Sequence, residues 1–190
     1  MACSFGITSA KPDTAVFVAS KAAAAQCRVK LNKLEDFAFK FKPGQTQTTR
    51  FSEDEINSYL ALDLSADYHP CLKSLVLSFE ENKLNGIAAI DFDRLGMTAT
   101  SLLPKLASFL FSGTRTIAAS GQLICKNEKA HLKLEQALFD GGKLPKPLVE
   151  KIISAVGRKQ HPPFDPLQPS QMPYEINKVE VHTGYIIVYQ

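Results

Sequence analysis

The stretch FSEDEINSYLALDL, residues 51–64, decides how the chain folds. Ser52 and Glu55 form an S-x-x-E capping box, in which each side chain bonds the backbone N–H of the other residue, so a helix should begin here. The acidic residues at 53–55 also lie where the helix dipole favours negative charge. Before this stretch the sequence predicts one long helix, and after it β-hairpins separated by short helices.

The long helix is predicted over about residues 13–41, and residues 1–12 are predicted to be a loose terminus. Asp13 or Thr14 supplies its N-cap. The Lys-Pro-Gly segment at 42–44 ends it, because proline cannot continue a helix and glycine favours a C-cap. Apolar residues recur every three or four positions between these limits, which is typical of an amphipathic helix.

The positive charge of the chain is concentrated in its first part. Residues 1–50 hold eight Lys/Arg and three Asp/Glu, whereas the remainder is slightly acidic. A basic helical arm could approach an anionic membrane surface. A solvated helix face explains the same charge, and we favour that interpretation.

Alternating apolar residues and turn signals predict three hairpins in the rest of the chain. The hairpins cover residues 71–93, 114–139 and 174–190, helices are predicted at 101–111 and about 147–157, and a short edge strand at 45–51. The proline-rich stretch 161–173 is predicted to be an extended connector that stays out of a sheet interior. These elements predict an α+β fold in which a curved antiparallel sheet of hairpins packs on the long N-terminal helix, with short helices between the hairpins. At 190 residues this is a single domain, with residues 51–190 forming the core.

The sequence carries no pattern that indicates catalysis, a metal site or a cofactor. The four cysteines are far apart, which argues against zinc and leaves both buried free thiols and disulfides open for Cys27, Cys71 and Cys125. No nucleophile elbow, P-loop or dinucleotide fingerprint occurs. The pair Asp91 and Asp93 lies about 7 Å apart if both are on one strand face, but we interpret that face as facing solvent.

Neither a membrane span nor a nucleic-acid site is predicted. No apolar run reaches the roughly 18 residues that a span needs, and the first residues lack the features of a signal peptide. The basic arm has no interleaved aromatic residues, so we expect no nucleic-acid partner. Asn57 and Tyr59 are polar residues on the helix that follows the capping box, and we expect them to bond neighbouring backbone.

Four motifs in order resemble a group of uncharacterised bacterial exported proteins. They are FSEDEINSYLALDL, GIAAIDFDRL, LPKPLVEKII and MPYEINKVEVHTGYIIVYQ. The same order is more distantly similar to small envelope proteins of the tubular lipid-binding superfamily. The resemblance implies export to the periplasm or beyond, and an apolar ligand held by a curved sheet and a long helix. It supplies no catalytic residue.

Two functional hypotheses follow. In the first, a non-enzymatic protein binds a lipid, a fatty acid or another apolar ligand between the long helix and the concave sheet face, and the basic helix approaches anionic headgroups. The predicted ligand-binding residues are Leu75, Leu77, Phe79, Phe109, Leu110, Ile117 and Leu134. In the alternative, the protein is an interaction or scaffolding domain with a filled core, and its partner meets a sheet edge or the proline-rich segment.

Overall fold

Two antiparallel sheets and four helices make up the computed structural model, which describes residues 17–40, 44–96 and 112–190. The helices are α1 (Lys21–Phe39), α2 (Glu53–Tyr59), α3 (Phe92–Leu95) and α4 (Lys146–Lys159). The strands are β1 (Thr48–Ser52), β2 (Leu72–Glu80), β3 (Lys83–Asp91), β4 (Thr114–Lys126), β5 (Lys129–Phe139), β6 (Gly142–Lys143), β7 (Ser170–Gln171), β8 (Lys178–His182) and β9 (Tyr185–Tyr189). The predicted α+β class with antiparallel hairpins is confirmed. The helix predicted at 101–111 lies outside the described residues.

The larger sheet has the strand order β2-β3-β4-β5-β6, and β7 pairs with the beginning of β5. The smaller sheet has the order β1-β9-β8. All three predicted hairpins form, because each pair of alternating segments meets at a turn that its residues favour. At the β4–β5 turn, for example, Asn127 and Glu128 both take positive φ. The short edge strand predicted before the capping box is β1, which pairs only with β9.

The capping box at the start of α2 forms as predicted. The Glu55 N–H donates to the Ser52 hydroxyl at 3.1 Å, and the Ser52 N–H donates to the Glu55 carboxylate at 2.8 Å. After Tyr59 the chain continues as a short π-helix, Leu60–Leu64, and a 3-10 turn, Ser65–Asp67. The helical segment therefore runs from Glu53 to Asp67, while Phe51 and Ser52 belong to β1.

Helix α1 begins later than the sequence predicts. Ser20 is its N-cap and is extended, and its hydroxyl accepts from the Ala23 N–H. Its own N–H donates to the Ser58 hydroxyl on α2, a contact between residues 38 positions apart that holds Ser20 out of the helix. The predicted caps Asp13 and Thr14 lie outside the described residues. The helix ends at Phe39, two residues before the end of the predicted range 13–41.

Each sheet has its own helix. Helix α1 packs with α2 and the smaller sheet, where Cys27 and Leu34 share a buried cluster with Phe51 and Val188. Helix α4 covers the larger sheet through an apolar stripe that joins the second cluster. The α4 residues of this stripe are Leu148, Val149, Ile152 and Val156. Among the described residues, no helix is both long enough and apolar enough to cross a membrane.

Candidate functional site

The five described residues of the predicted apolar site share one face of the larger sheet. Leu75 lies in one row with Ile117, because both pair with the same residue of β3. Phe79 lies in another row, which runs through Gly121 to Leu134. Residues directly opposite each other in a sheet point to the same side, and Leu77 alternates with its neighbours onto that side. Phe109 and Leu110 lie outside the described residues.

Helix α4, and not α1, covers part of this face. Ile117 and Leu134 are buried in the cluster that contains Val149 and Ile152 of α4. Phe79 is buried as well, whereas Leu75 and Leu77 are half-buried. The predicted arrangement with α1 over these residues does not form, since α1 uses its apolar stripe against the smaller sheet. The apolar stripe of α1 packs against β1 and β9, two paired strands that lie far apart in the sequence.

Two of the basic residues of α1, Arg28 and Lys30, form ion pairs within the protein. The Lys30 ammonium contacts both oxygens of the buried Glu55 carboxylate at 2.6 Å, and Arg28 contacts Asp63 at 2.6 Å. Burial works to raise the pKa of Glu55, but the hydrogen bonds from Lys30 and Ser52 outweigh it and lower that pKa. These ion pairs hold α1 against the helical segment that follows the capping box.

Asp91 and Asp93, the two carboxylates on the predicted strand, bond to different parts of the backbone. Asp91 caps α3, where its carboxylate accepts from the Arg94 N–H and also contacts the Lys73 ammonium at 3.3 Å. Asp93 lies within α3 and accepts from the Gly113 N–H. Both carboxylates therefore anchor the end of the β2–β3 hairpin. In the described ranges, no group of three or more His, Cys, Asp or Glu side chains could hold a metal ion.

One edge of the larger sheet, β2, is closed by side chains of the neighbouring helix. The Asn57 amide donates to the Leu77 carbonyl and accepts from the Leu77 N–H, both at 2.7 Å. The Glu53 carboxylate accepts from the Phe79 N–H at 2.7 Å, and the Phe79 carbonyl accepts from the Gly184 N–H at 3.0 Å. This confirms that Asn57 bonds backbone. At Leu77 and Phe79, where the outward main-chain groups are satisfied in this way, the edge cannot accept another strand.

The other edge, β5, is open in its middle. Strand β7 pairs only with residues 129 and 130, and β6 pairs only with 138 and 139. Between them the Leu132 N–H donates to the Pro166 carbonyl at 2.7 Å. Within the described part of the chain, no strand pairs with the outer side of residues 133–137.

The open edge faces a cleft of about 710 Å³ between β5 and α4. Residues 131–134 of β5 line it together. His131 and Lys133 belong to one sheet face, and Leu132 and Leu134 to the other, so a cleft that all four line must run along the strand edge. The outward N–H of Leu132 indicates that the N–H and C=O of Leu134 also point outward, because these groups alternate sides along an antiparallel strand.

The lining of the cleft is strongly basic. Of the described residues that line it, four are cations and one, Glu150, is a carboxylate. The cations are Lys133, Lys146, Lys151 and Arg158. Lys146 lies 3.8 Å from Glu150, and within the described ranges no ion pair involves Lys133 or Lys151.

The proline-rich segment forms one end of the cleft and is held there by Asp165. This carboxylate accepts from the Ser154 hydroxyl at 2.8 Å, from the Leu167 N–H at 3.1 Å and from Arg158 at 2.9 Å. Burial works to raise the pKa of Asp165, but these hydrogen bonds outweigh it and lower that pKa. The Ser154 hydroxyl thus has a structural role, and Leu167 and Gln168 are placed at the mouth.

Sequence reasoning missed this basic cleft. The signal was present in α4, whose polar positions 146, 150, 151, 154 and 158 all fall on the side that lines it. The sequence predicts the basic surface on α1, because residues 1–50 carry the excess of Lys and Arg. A count along the chain does not show which distant residues lie close together in the folded protein. As an alternative, the sequence predicts a partner at either a sheet edge or the proline-rich segment, and in the structure both line this cleft.

The comparisons with known proteins identify no relative. No family model matches the chain, and no curated protein is similar to it. The resemblance to exported envelope proteins therefore stays a prediction, and function must be argued from the geometry.

Proposed function

We propose that this protein is a non-catalytic interaction domain, and that an extended segment of a partner protein binds as an added strand along β5. The observation that carries the proposal is the unpaired stretch 133–137 of β5, which lies between β7 and β6 and whose first two residues line a cleft. Strand addition to an open sheet edge is a common mode of peptide recognition, in which main-chain hydrogen bonds supply affinity and alternate side chains supply specificity.

The dimensions of the edge suit such a segment. Beyond Leu132, whose N–H is bonded to Pro166, five residues, 133–137, remain before the pairing with β6. At about 3.3 Å per residue this span is about 17 Å long. Each new main-chain hydrogen bond contributes about 0.5–1.5 kcal/mol net. Apolar contact with Leu132, Leu167 and Ala155 would add to this.

The contrast between the two sheet edges supports the proposal. At β2 the outward main-chain groups of Leu77 and Phe79 are all satisfied by side chains or backbone. Proteins that do not use an edge generally cover or charge it, because an open edge invites association. A chain that closes one edge and leaves the other open beside a cleft has a site for an added strand.

The test uses three eight-residue probe peptides in which Thr alternates with Glu, Gln or Lys. Hydrogen exchange by NMR on the isotope-labelled protein reports the amide of Leu134, and the amide of Leu77, already bonded to Asn57, is the internal control. At ten times Kd, a bound peptide should slow exchange of the Leu134 amide about tenfold and leave the Leu77 amide unchanged. Methylating alternate peptide nitrogens should abolish the effect. If no peptide protects any amide of 133–137, the proposal is wrong.

An apolar ligand is the second candidate function. The observation that favours it is a row of small residues beside Leu77, formed by Gly86, Ala119 and Ala137, with Leu75 and Leu77 left half-buried. The test is native mass spectrometry of the protein purified from cells, followed by lipid extraction. Release of a bound fatty acid or phospholipid by Leu77→Asp supports this candidate, and a ligand-free mass with no uptake of added lipid counts against it.

A further inference from the structure

We infer that the segment completing the β5 edge is acidic and comes from another molecule. This inference rests on the proposed function and names the chemistry of the partner. It starts from the excess of cations in the cleft. Of the described lining residues, Lys133 of β5 and Lys146, Lys151 and Arg158 of α4 are cations, and Glu150 is the single carboxylate.

The cations lie on both sides of the position that an added strand would occupy. Lys133 belongs to the sheet face opposite the core, and Lys151 and Arg158 project from α4, which packs on the core face. Successive side chains of an added strand point to opposite faces. Acidic residues at consecutive or alternate positions of the segment would therefore meet a cation on either face.

The internal ion pairs leave part of this charge unbalanced. Asp165 neutralises Arg158, and Glu150 lies near Lys146. Lys133 and Lys151 have no such carboxylate within the described part of the chain, and both side chains are exposed. An acidic segment would supply the missing partners and leave the existing pairs in place.

The stretches of this chain that the structure does not describe do not supply an acidic segment for the cleft. The stretches outside the described residues, 1–16, 41–43 and 97–111, contain three lysines and one acidic residue. The acidic run at 53–55 is committed to α2. Neither these stretches nor the run at 53–55 supplies the acidic segment, and we assign it to a partner protein.

The lining also favours a peptide over a nucleic acid. Among the described residues that line the cleft there is no Phe, Tyr or Trp on which bases could stack. It offers instead the main-chain donors and acceptors of a strand edge, which match the repeat of an extended peptide. Binding of RNA in place of peptide is one outcome that the test must detect.

The test compares the affinities of the Thr/Glu, Thr/Gln and Thr/Lys peptides by fluorescence anisotropy at 50 mM and 500 mM salt. Two or three exposed ion pairs should make the Glu peptide bind about tenfold tighter than the Gln peptide at low salt. High salt should remove most of this preference. The double variant Lys133→Glu and Lys151→Glu should reverse it, so that the Lys peptide binds best.

A matched control separates local charge from total charge. The double variant Lys21→Glu and Lys33→Glu changes the net charge equally, on exposed positions of α1, and should leave the peptide preference unchanged. Equal binding of the three peptides to the unaltered protein would overturn the acidic partner and leave strand addition standing. Binding of single-stranded RNA together with no binding of any peptide would overturn both.

Discussion

Replacing Asn57 with alanine should open the closed edge of the larger sheet and cost much of the stability of the protein. The Asn57 side chain is about 2% exposed and makes two hydrogen bonds of 2.7 Å, one to each main-chain group of Leu77. Alanine cannot replace either bond. The Leu77 N–H and C=O would then face a small cavity at the junction of α2 and β2.

The expected cost follows from these two bonds. Each hydrogen bond contributes about 1 kcal/mol net, and a buried donor or acceptor left without a partner costs about 1–3 kcal/mol. Because alanine leaves both main-chain groups of Leu77 without a partner, we expect the free energy of unfolding to fall by about 2–6 kcal/mol. Domains have total stabilities of about 5–15 kcal/mol, so this loss is large.

Urea denaturation of the wild-type protein and of Asn57→Ala measures the loss. The matched control is Asn85→Ala, which removes an exposed hydrogen bond of 3.0 Å to Glu80 and should change stability by no more than about 0.5 kcal/mol. Native-state hydrogen exchange should also accelerate selectively at the Leu77 amide in the Asn57 variant. A loss below about 1 kcal/mol, or equal losses in the two variants, would refute the reasoning that side chains of α2 close this edge.

Three further outcomes follow from the structure. The pKa of Glu55 is lowered in the folded protein, so its contribution to stability is complete above the unfolded pKa of about 4.3 and is lost as pH falls through the folded pKa. In Glu55→Gln, the free energy of unfolding should therefore fall less steeply between about pH 5 and 2 than in the wild type. Urea titrations at each pH measure this. Gly121→Ala should lower the free energy of unfolding by about 3 kcal/mol or more, because the added Cβ would overlap the Lys133 carbonyl. Gly86→Ala is the control, since its Cβ would come no closer than 3.4 Å to a side chain, and thermal unfolding should find it within about 1 kcal/mol of the wild type. Burial, with a smaller contribution from Glu55, raises the pKa of Cys27 to about 11, so iodoacetamide at pH 8 should label this thiol only after unfolding; labelling of the native protein at the rate of an exposed cysteine would contradict its burial.

Much of the fold could be predicted because its signals are local. The capping box of Ser52 and Glu55 needs only four residues to form, and the hairpins need only alternating strands joined by a favourable turn. The beginning of α1 was misplaced because Ser20 is held by Ser58, a contact that no window of neighbouring residues contains.

The sequence by itself determined the class of fold and the order of helices and strands, and it determined which residues share a face in strands without a bulge. Those properties depend on backbone preferences and on side-chain spacing within single segments. In β5 the bulge opposite Ser120 and Gly121 puts Leu138 on the face opposite Leu134, although simple alternation predicts that the two share a face. Only the tertiary structure decided that α4 covers Ile117 and Leu134, that Asn57 closes one sheet edge, and that the other edge opens on a basic cleft. The physical reason is that burial and charge clustering depend on which distant segments pack together. The cleft brings β5, α4 and the proline-rich segment into contact, and the cations of β5 and α4 meet only after that packing is complete.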